Sequence, residues 1–495
     1  MSILSPKIHL PSNSSMMLVV LGILSIAVVA AMAMLVMPGH IALSLIALLA
    51  GGTIFLLMPE RRRLVLGLLV FVIPLNIDVN LIEQPSHGGA DGLSFGMVEI
   101  LMLLLLGLTV MRSAQFKQVG TLKFYPALLL PSLAMLSFFL ISTINARDLW
   151  WSAFDIANFV KVIIFYLLLA NNIQNETDMR VVLMALFCGL ITQAGIATAI
   201  NLNPAVTHLF LQLKLGVAGN VADLAAANQF IRSGGSLGNA NHLGRYFGLV
   251  LPVALMMLVT RQNRVLSIFA SAAVLFGGLA LINTLSRSAW IGLVFSLLVM
   301  LPFMLNRRLI SFRTIWLFGL AALGFAVVLF ALGDVIWQRL TQDDHGSAMT
   351  RITTAKVAWA IIKDSPFFGC GINNYGAMLA EYWIGEDTFT NRAAVHNNYL
   401  LYMAEIGIFG FMAVIWWLVA FAVRLGQAIK SKSSFFVAIA IGLMGGYAGM
   451  LLESLTDKSY KENFSLLLLL WTLMAVTEAI IRLNGENDDH RAVVA

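Results

Sequence analysis

Apolar runs of about twenty residues alternate with short polar connections along most of the chain. As helices rising about 1.5 Å per residue, such runs are long enough to cross the ~30 Å hydrocarbon core of a bilayer. We read fourteen of them, at about 16–37, 40–58, 63–81, 94–111, 125–144, 153–171, 179–201, 242–259, 265–283, 288–305, 313–333, 397–424, 434–454 and 463–482. The pattern predicts an all-α integral membrane protein of about 14 transmembrane helices. The first run, Met16 to Met37, is too long for a signal-peptide core and lacks a small-residue cleavage site, so it reads as a retained span. Two polar segments break the rhythm, 202–241 and 334–395, both far longer than hairpin turns; long ordered loops often carry function. The expected organisation is seven spans in 1–201, a loop over 202–241, spans eight to eleven in 242–333, a large loop over 334–395, three spans in 396–482 and a tail at 483–495. Inside the large loop, Ile352, Val357, Ala360 and Ile361 recur at helical spacing across Ser347–Lys363. Asp364-Ser365-Pro366 and Gly369-Cys370-Gly371 break that helix, and a second short one is predicted near Asn374–Trp383. This loop reads as a folded cap.

Composition agrees. The chain is 59% hydrophobic and 11% charged, with a mean hydropathy of +0.87, which excludes a soluble globule. A net charge of +6 would suggest a nucleic-acid partner in a soluble protein, but here the basic residues sort by side of the membrane. With the N-terminus in the cytoplasm, inner connections collect Arg61-Arg62-Arg63, Arg307, Arg308, Arg313, Arg424, Lys430 and Lys432. The short outer loops hold only Arg147, Arg287, Lys458 and Lys461. Both long polar segments then face outward, and no nucleic acid is implied. Two cysteines, Cys188 and Cys370, give no disulfide framework. Gly442, Gly445, Gly446 and Gly449 form small-xxx-small spacings that suit close helix packing.

Charges in or beside a span are costly and face a partner, a cavity or water. In this orientation Glu99, Lys161, Arg245, Arg287, Glu405 and Glu453 fall at outer halves or outer ends of spans, with Arg232, Arg351 and His396 on the same side. Lys161 and Glu99 read equally as an ion pair or as snorkelling side chains, and Arg245 as a headgroup contact. Asp343-Asp344 resembles half of a metal site but reads as two solvated acids. No His/Cys/Asp ligand spacing or Walker-type glycine loop occurs, so no metal or other cofactor is expected. The distribution predicts a basic cavity opening outward beneath the cap, not the midplane site of an alternating-access carrier.

Three sequence elements converge on that cavity. Arg232-Ser233-Gly234-Gly235 precedes Asn239-Ala240-Asn241-His242-Leu243 at the mouth of a span. Thr284-Leu285-Ser286-Arg287-Ser288-Ala289-Trp290 occupies a tight outer hairpin. Arg351, Trp359 and Pro366-Phe367-Phe368-Gly369-Cys370-Gly371 lead to His396-Asn397-Asn398-Tyr399-Leu400, then Glu405, Gly407 and Gly410. Across about residues 225–425 this ordered set resembles the superfamily of O-antigen ligases and O-antigen or exopolysaccharide polymerases. Ser288 and Ala240 depart from it, standing where glycine and proline are common.

The resemblance implies a bacterial inner-membrane glycosyltransferase working on the periplasmic face. Its partners would be a glycan donor on undecaprenyl pyrophosphate, a glycan or lipid A–core acceptor, membrane lipids and a chain-length regulator. The family's important arginines and histidine match Arg232, Arg287 and His396; Arg351, Arg245, Asn397 and Glu405 are further substrate-binding candidates. The chemistry is consistent with these residue types. Arginine stays protonated and forks onto phosphate oxygens, which suits a diphosphate leaving group without a metal. Histidine is a natural base for the attacking sugar hydroxyl, and direct displacement inverts the anomeric centre. A polymerase is slightly favoured over a ligase by the number of spans. A lipid-linked-oligosaccharide flippase and a non-catalytic assembly scaffold stand as alternatives.

Overall fold

The computed structural model describes residues 60–83, 89–90, 92–116, 123–202, 233–260, 263–312, 314–316, 347–383 and 394–494. The expected spans 16–37 and 40–58, nearly all of 313–333, and Arg232, Asp343 and Asp344 lie outside these residues. The chain divides into two compact units, 1–64 and 65–495. Of the first only Glu60–Leu64 are described, where Arg63 donates to Glu60 at 2.7 Å.

The elements are α1 (Arg61–Val72), a 3-10 turn (Ile73–Leu75), β1 (Asp78–Glu83), β2 (Gly92–Gly96), α2 (Met97–Phe116), α3 (Pro126–Ser142), α4 (Leu149–Asn172) and α5 (Glu176–Leu202). After the undescribed residues come α6 (Ala240–Val259), α7 (Arg264–Asn283), α8 (Arg287–Asn306), α9 (Ser347–Asp364) and α10 (Tyr375–Tyr382). The chain closes with α11 (Asn398–Ile429), α12 (Ser434–Glu453), α13 (Ser459–Glu462) and α14 (Phe464–Val494). Among the described residues nine helices are long and apolar enough to span a membrane: α3 to α8, α11, α12 and α14.

Two sequence expectations need correction. The run 63–81 is not one span: its helix stops at Val72, Pro74 sits in a 3-10 turn and Asn76 takes a left-handed conformation. Beyond it, Asn76, Asp78 and Asn80 alternate with Ile77, Val79 and Leu81, a period-two pattern that pairs β1 antiparallel to β2. The chain is therefore not purely α. The run 94–111 begins as strand, and the apolar part of its helix covers only Met97–Met111. Lys161 and Glu99 do form an ion pair, at 3.1 Å, and Lys161 also donates to the Ser94 carbonyl at 2.5 Å, bracing the hairpin.

Helix packing follows the small residues. In α6, α12 and α14, 83% of the apolar window is buried, against 28% in α8, so the first three are central and α8 presents most of its surface to lipid. Gly442 and Gly446 lie against the α6 backbone at Val253 and Leu249, while Gly445 and Gly449 face Met300 and Ser296 of α8. A methyl group at Gly442 or Gly446 would sit 2.6 Å from α6 backbone atoms, so these glycines let α12 wedge between its neighbours. That approach seats Glu453, the last residue of α12, against Gly248 and Gly292.

Helices α9 and α10 have their own apolar core. Val357, Ile361, Cys370, Tyr375, Leu379, Val395 and Leu401 bury together. The segment following α9 zips onto α11 through Cys370 N–H to Ala404 O (3.0 Å), Gly371 N–H to Glu405 O (2.9 Å) and Ile408 N–H to Pro366 O (2.8 Å). Gly407 makes this possible: its φ of 66° and ψ of −175° interrupt α11 in a region essentially restricted to glycine. The turn of α11 carrying Asn398–Ile406 thus packs with α9 and α10. The same segment docks onto the α3–α4 turn, where Asn374 Nδ2 donates to Asp148 O (3.1 Å) and Ser152 Oγ (2.9 Å).

Candidate functional site

The site grows from the turn between α12 and α14. Its polar run, Asp457-Lys458-Ser459-Tyr460-Lys461-Glu462-Asn463, pairs with side chains of α4, α6 and α11. Arg245 on α6 is fully buried, with Nε 3.3 Å from Glu453 and Nη2 3.1 Å from Asp457. Asn463 contacts His242 Nδ1 at 3.3 Å, and His242 Nε2 lies 3.8 Å from Glu462. Lys461 pairs with Glu405 and, at 3.3 Å, with Asp155 of α4. Lys458 pairs with Glu462 at 3.3 Å.

His396 is held at the edge of this turn by the asparagines that follow it. Asn398 N–H donates to Ser454 O at 2.9 Å and its side chain to Ser454 Oγ at 3.3 Å. Asn397 accepts from Leu400 N–H, capping α11, and donates to Leu455 O at 3.0 Å. Tyr399 donates to Leu451 O at 2.8 Å. His396 Nδ1 is buried and makes no hydrogen bond. Burial depresses the imidazole below the ordinary histidine range; Asp457 and Glu462 pull it up, and Lys458 and Arg351 push it down. The ring is therefore neutral near pH 7 and can accept a proton. Burial would push Glu462 up, yet the approach of His242 and the Lys458 charge hold it at about 2. Burial would likewise lower Lys461, but Asp155 and Glu405 outweigh it and keep the ammonium charged.

The other sequence candidates gather at the same end of the bundle. Arg287 is half-buried as the first residue of α8, and the neighbouring Ser288 Oγ accepts from Arg245 Nη2 at 3.3 Å. Arg351 is exposed on the first turn of α9, within electrostatic range of His396. Arg245 does not lie among lipid headgroups: two carboxylates engage its guanidinium, and a substrate phosphate would have to displace them. Glu405 is 1% exposed and committed to Lys461, and Asn397 to capping. Arg232 is outside the described residues. Sequence reasoning missed Asp155, Asp457, Lys458, Lys461, Glu462 and Asn463 as parts of the site. The available signal was five charged or amide side chains in the seven residues 457–463, between two strongly apolar helices.

No curated protein matches the chain. Residues 270–415 match a family model described as O-antigen ligase. The matched segment runs from within α7 to within α11 and contains Arg287, Arg351, His396, Asn397 and Glu405, whereas Arg232 and Arg245 precede it. This is a multi-pass membrane protein whose segment 270–415 belongs to the O-antigen ligase and polymerase superfamily.

Proposed function

We propose that the protein transfers a glycan from undecaprenyl pyrophosphate to a sugar hydroxyl, at the periplasmic face of a bacterial inner membrane, with His396 as general base. The observation that carries this reading is the environment of His396: a neutral imidazole with a buried, unengaged Nδ1, beside Arg351 and Lys458 and at the same end of the bundle as Arg287. The acceptor oxygen attacks C1 as the C1–pyrophosphate bond breaks on the opposite side, inverting the anomeric centre. His396 takes the hydroxyl proton, and undecaprenyl pyrophosphate departs with the bonding pair. Arg287 and Arg351, with Arg232 from the sequence pattern, stabilise the negative charge that builds on the leaving diphosphate. Metal assistance is not needed for this scheme. A positioned base contributes on the order of 10²–10⁴ in rate.

The test is His396→Ala and Arg287→Ala at normal membrane levels, scored on surface polysaccharide. Both lose glycan transfer. Single repeats still attached to core, without long chains, identify a polymerase. Lipid-linked polymer accumulating beside bare core identifies a ligase. Unchanged glycan in both variants removes the enzyme reading and leaves an assembly scaffold.

A further inference from the structure

A polar cavity of about 270 Å³ opens between the β1–β2 hairpin, α4 and the α12–α14 turn. It is built largely outside the segment that matches the family model, since every described lining residue except Tyr402 lies before 270 or after 415. Its size is near the lower end of the ~300–1,000 Å³ usual for small-molecule sites.

The lining fits a sugar. Asn80 and Asn158 offer amides that can both donate to and accept from hydroxyls. Phe159, Phe464 and Tyr402 supply flat apolar surfaces for the C–H face of a pyranose. Asn158 is 7% exposed and its Oδ1 is buried with no hydrogen bond, an unmet acceptor that a ligand hydroxyl would satisfy. Charge rules against the diphosphate as occupant: among the described lining residues three acids, Asp78, Asp155 and Glu462, outnumber one basic side chain, Lys461, which Asp155 and Glu405 already engage. Glu462 is also the wall shared with the proposed base, because it contacts His242 and lies in electrostatic reach of His396.

We propose that this cavity binds an uncharged sugar ring of the acceptor glycan, with Asn158 and Asn80 hydrogen-bonding its hydroxyls, so that the helices preceding the matched segment form an acceptor subsite. The proposal rests on the glycan-transfer reading above. Its test separates binding from chemistry. Full-length protein carrying His396→Ala, solubilised in detergent, is titrated calorimetrically with repeat-unit oligosaccharide hydrolysed from the host's own polysaccharide, and separately with inorganic pyrophosphate. Adding Asn158→Leu weakens oligosaccharide binding at least tenfold, and adding Asn80→Ala several-fold, with pyrophosphate binding unchanged. Asn80 lies on an exposed strand, so its variant folds even if the buried one does not. In the His396 protein, Asn80→Ala raises the acceptor KM and leaves the donor KM alone. No oligosaccharide binding to the parent, undiminished binding in both variants, parallel loss of pyrophosphate binding, or a donor KM that rises instead overturns the proposal. Failure of the transfer reading looks different: intact glycan in His396→Ala and Arg287→Ala cells, whatever the titrations give.

Discussion

Lys461 is the residue whose removal should cost most, and the structure says by how much relative to its partners. Its side chain is 2% exposed and lies between Glu405, 1% exposed, and Asp155, 12% exposed at 3.3 Å. At that separation and an effective dielectric of about 20, the attraction to Asp155 is about 5 kcal/mol and that to Glu405 is no weaker, most of each offset by the cost of drying the charges. Lys461→Met strands two carboxylates in one dry site, and breaking a buried pair in this way costs about 3–5 kcal/mol. Glu405→Gln leaves the Lys461–Asp155 pair in place and costs about 1–3 kcal/mol. The double variant retains only the more exposed Asp155, so it is more stable than Lys461→Met alone. Reversible unfolding of the full chain by SDS in mixed micelles, followed by circular dichroism, measures all three. A cost for Glu405→Gln equal to that of Lys461→Met, or a double variant equal to the sum of the singles, refutes the argument that one lysine compensates two acids.

Two further outcomes follow from the same geometry. Because burial and the Arg351 charge depress His396, the acidic limb of kcat/KM lies below ~6.5. Removing a cation makes protonation easier, so Arg351→Met moves that limb to higher pH, and Asp457→Asn moves it lower; shifts in the reverse directions exclude His396 as the titrating base. Gly407→Ala forces a side chain into a glycine-only conformation and onto the Phe367 backbone, costing about 1–3 kcal/mol from the conformation alone. Gly426→Ala, with open space around it in the helical part of α11, gains about 0.5–1 kcal/mol. Equal effects in the SDS titration would refute the role given to Gly407.

What could be read from the chain is what periodicity and charge encode locally. The nine spans among the described residues, the helices α9 and α10 and the breaks around Pro366 and Gly369 are visible because bilayer thickness and helical repeat leave the same mark wherever they act. The β1–β2 hairpin escaped because averaged hydropathy over 63–81 conceals the alternation of Asn76, Asp78 and Asn80 with apolar neighbours. Arg245 and Glu405 looked like substrate ligands because sequence gives the cost of a charge in a membrane but not the identity of its partner. Their partners, Glu453, Asp457 and Lys461, come from far along the chain.

The α12–α14 turn illustrates the same limit from the other side. Seen locally, Asp457–Asn463 is a short polar connector, and its two lysines are exceptions to the inward bias of the basic residues. Its importance arises from the glycines of α12, which bring that helix close enough to α6 and α8 for Glu453 to reach Arg245. Once Arg245 anchors Asp457, the turn is fixed where Asn397 and Asn398 can bind its backbone, and His396 is set beside it. Small side chains deep in the bundle therefore determine the electrostatic surroundings of a histidine at its end. The same fixed turn presents Lys461 and Glu462 to the cavity under the hairpin, coupling the acceptor subsite we infer to the proposed base through one rigid stretch of backbone.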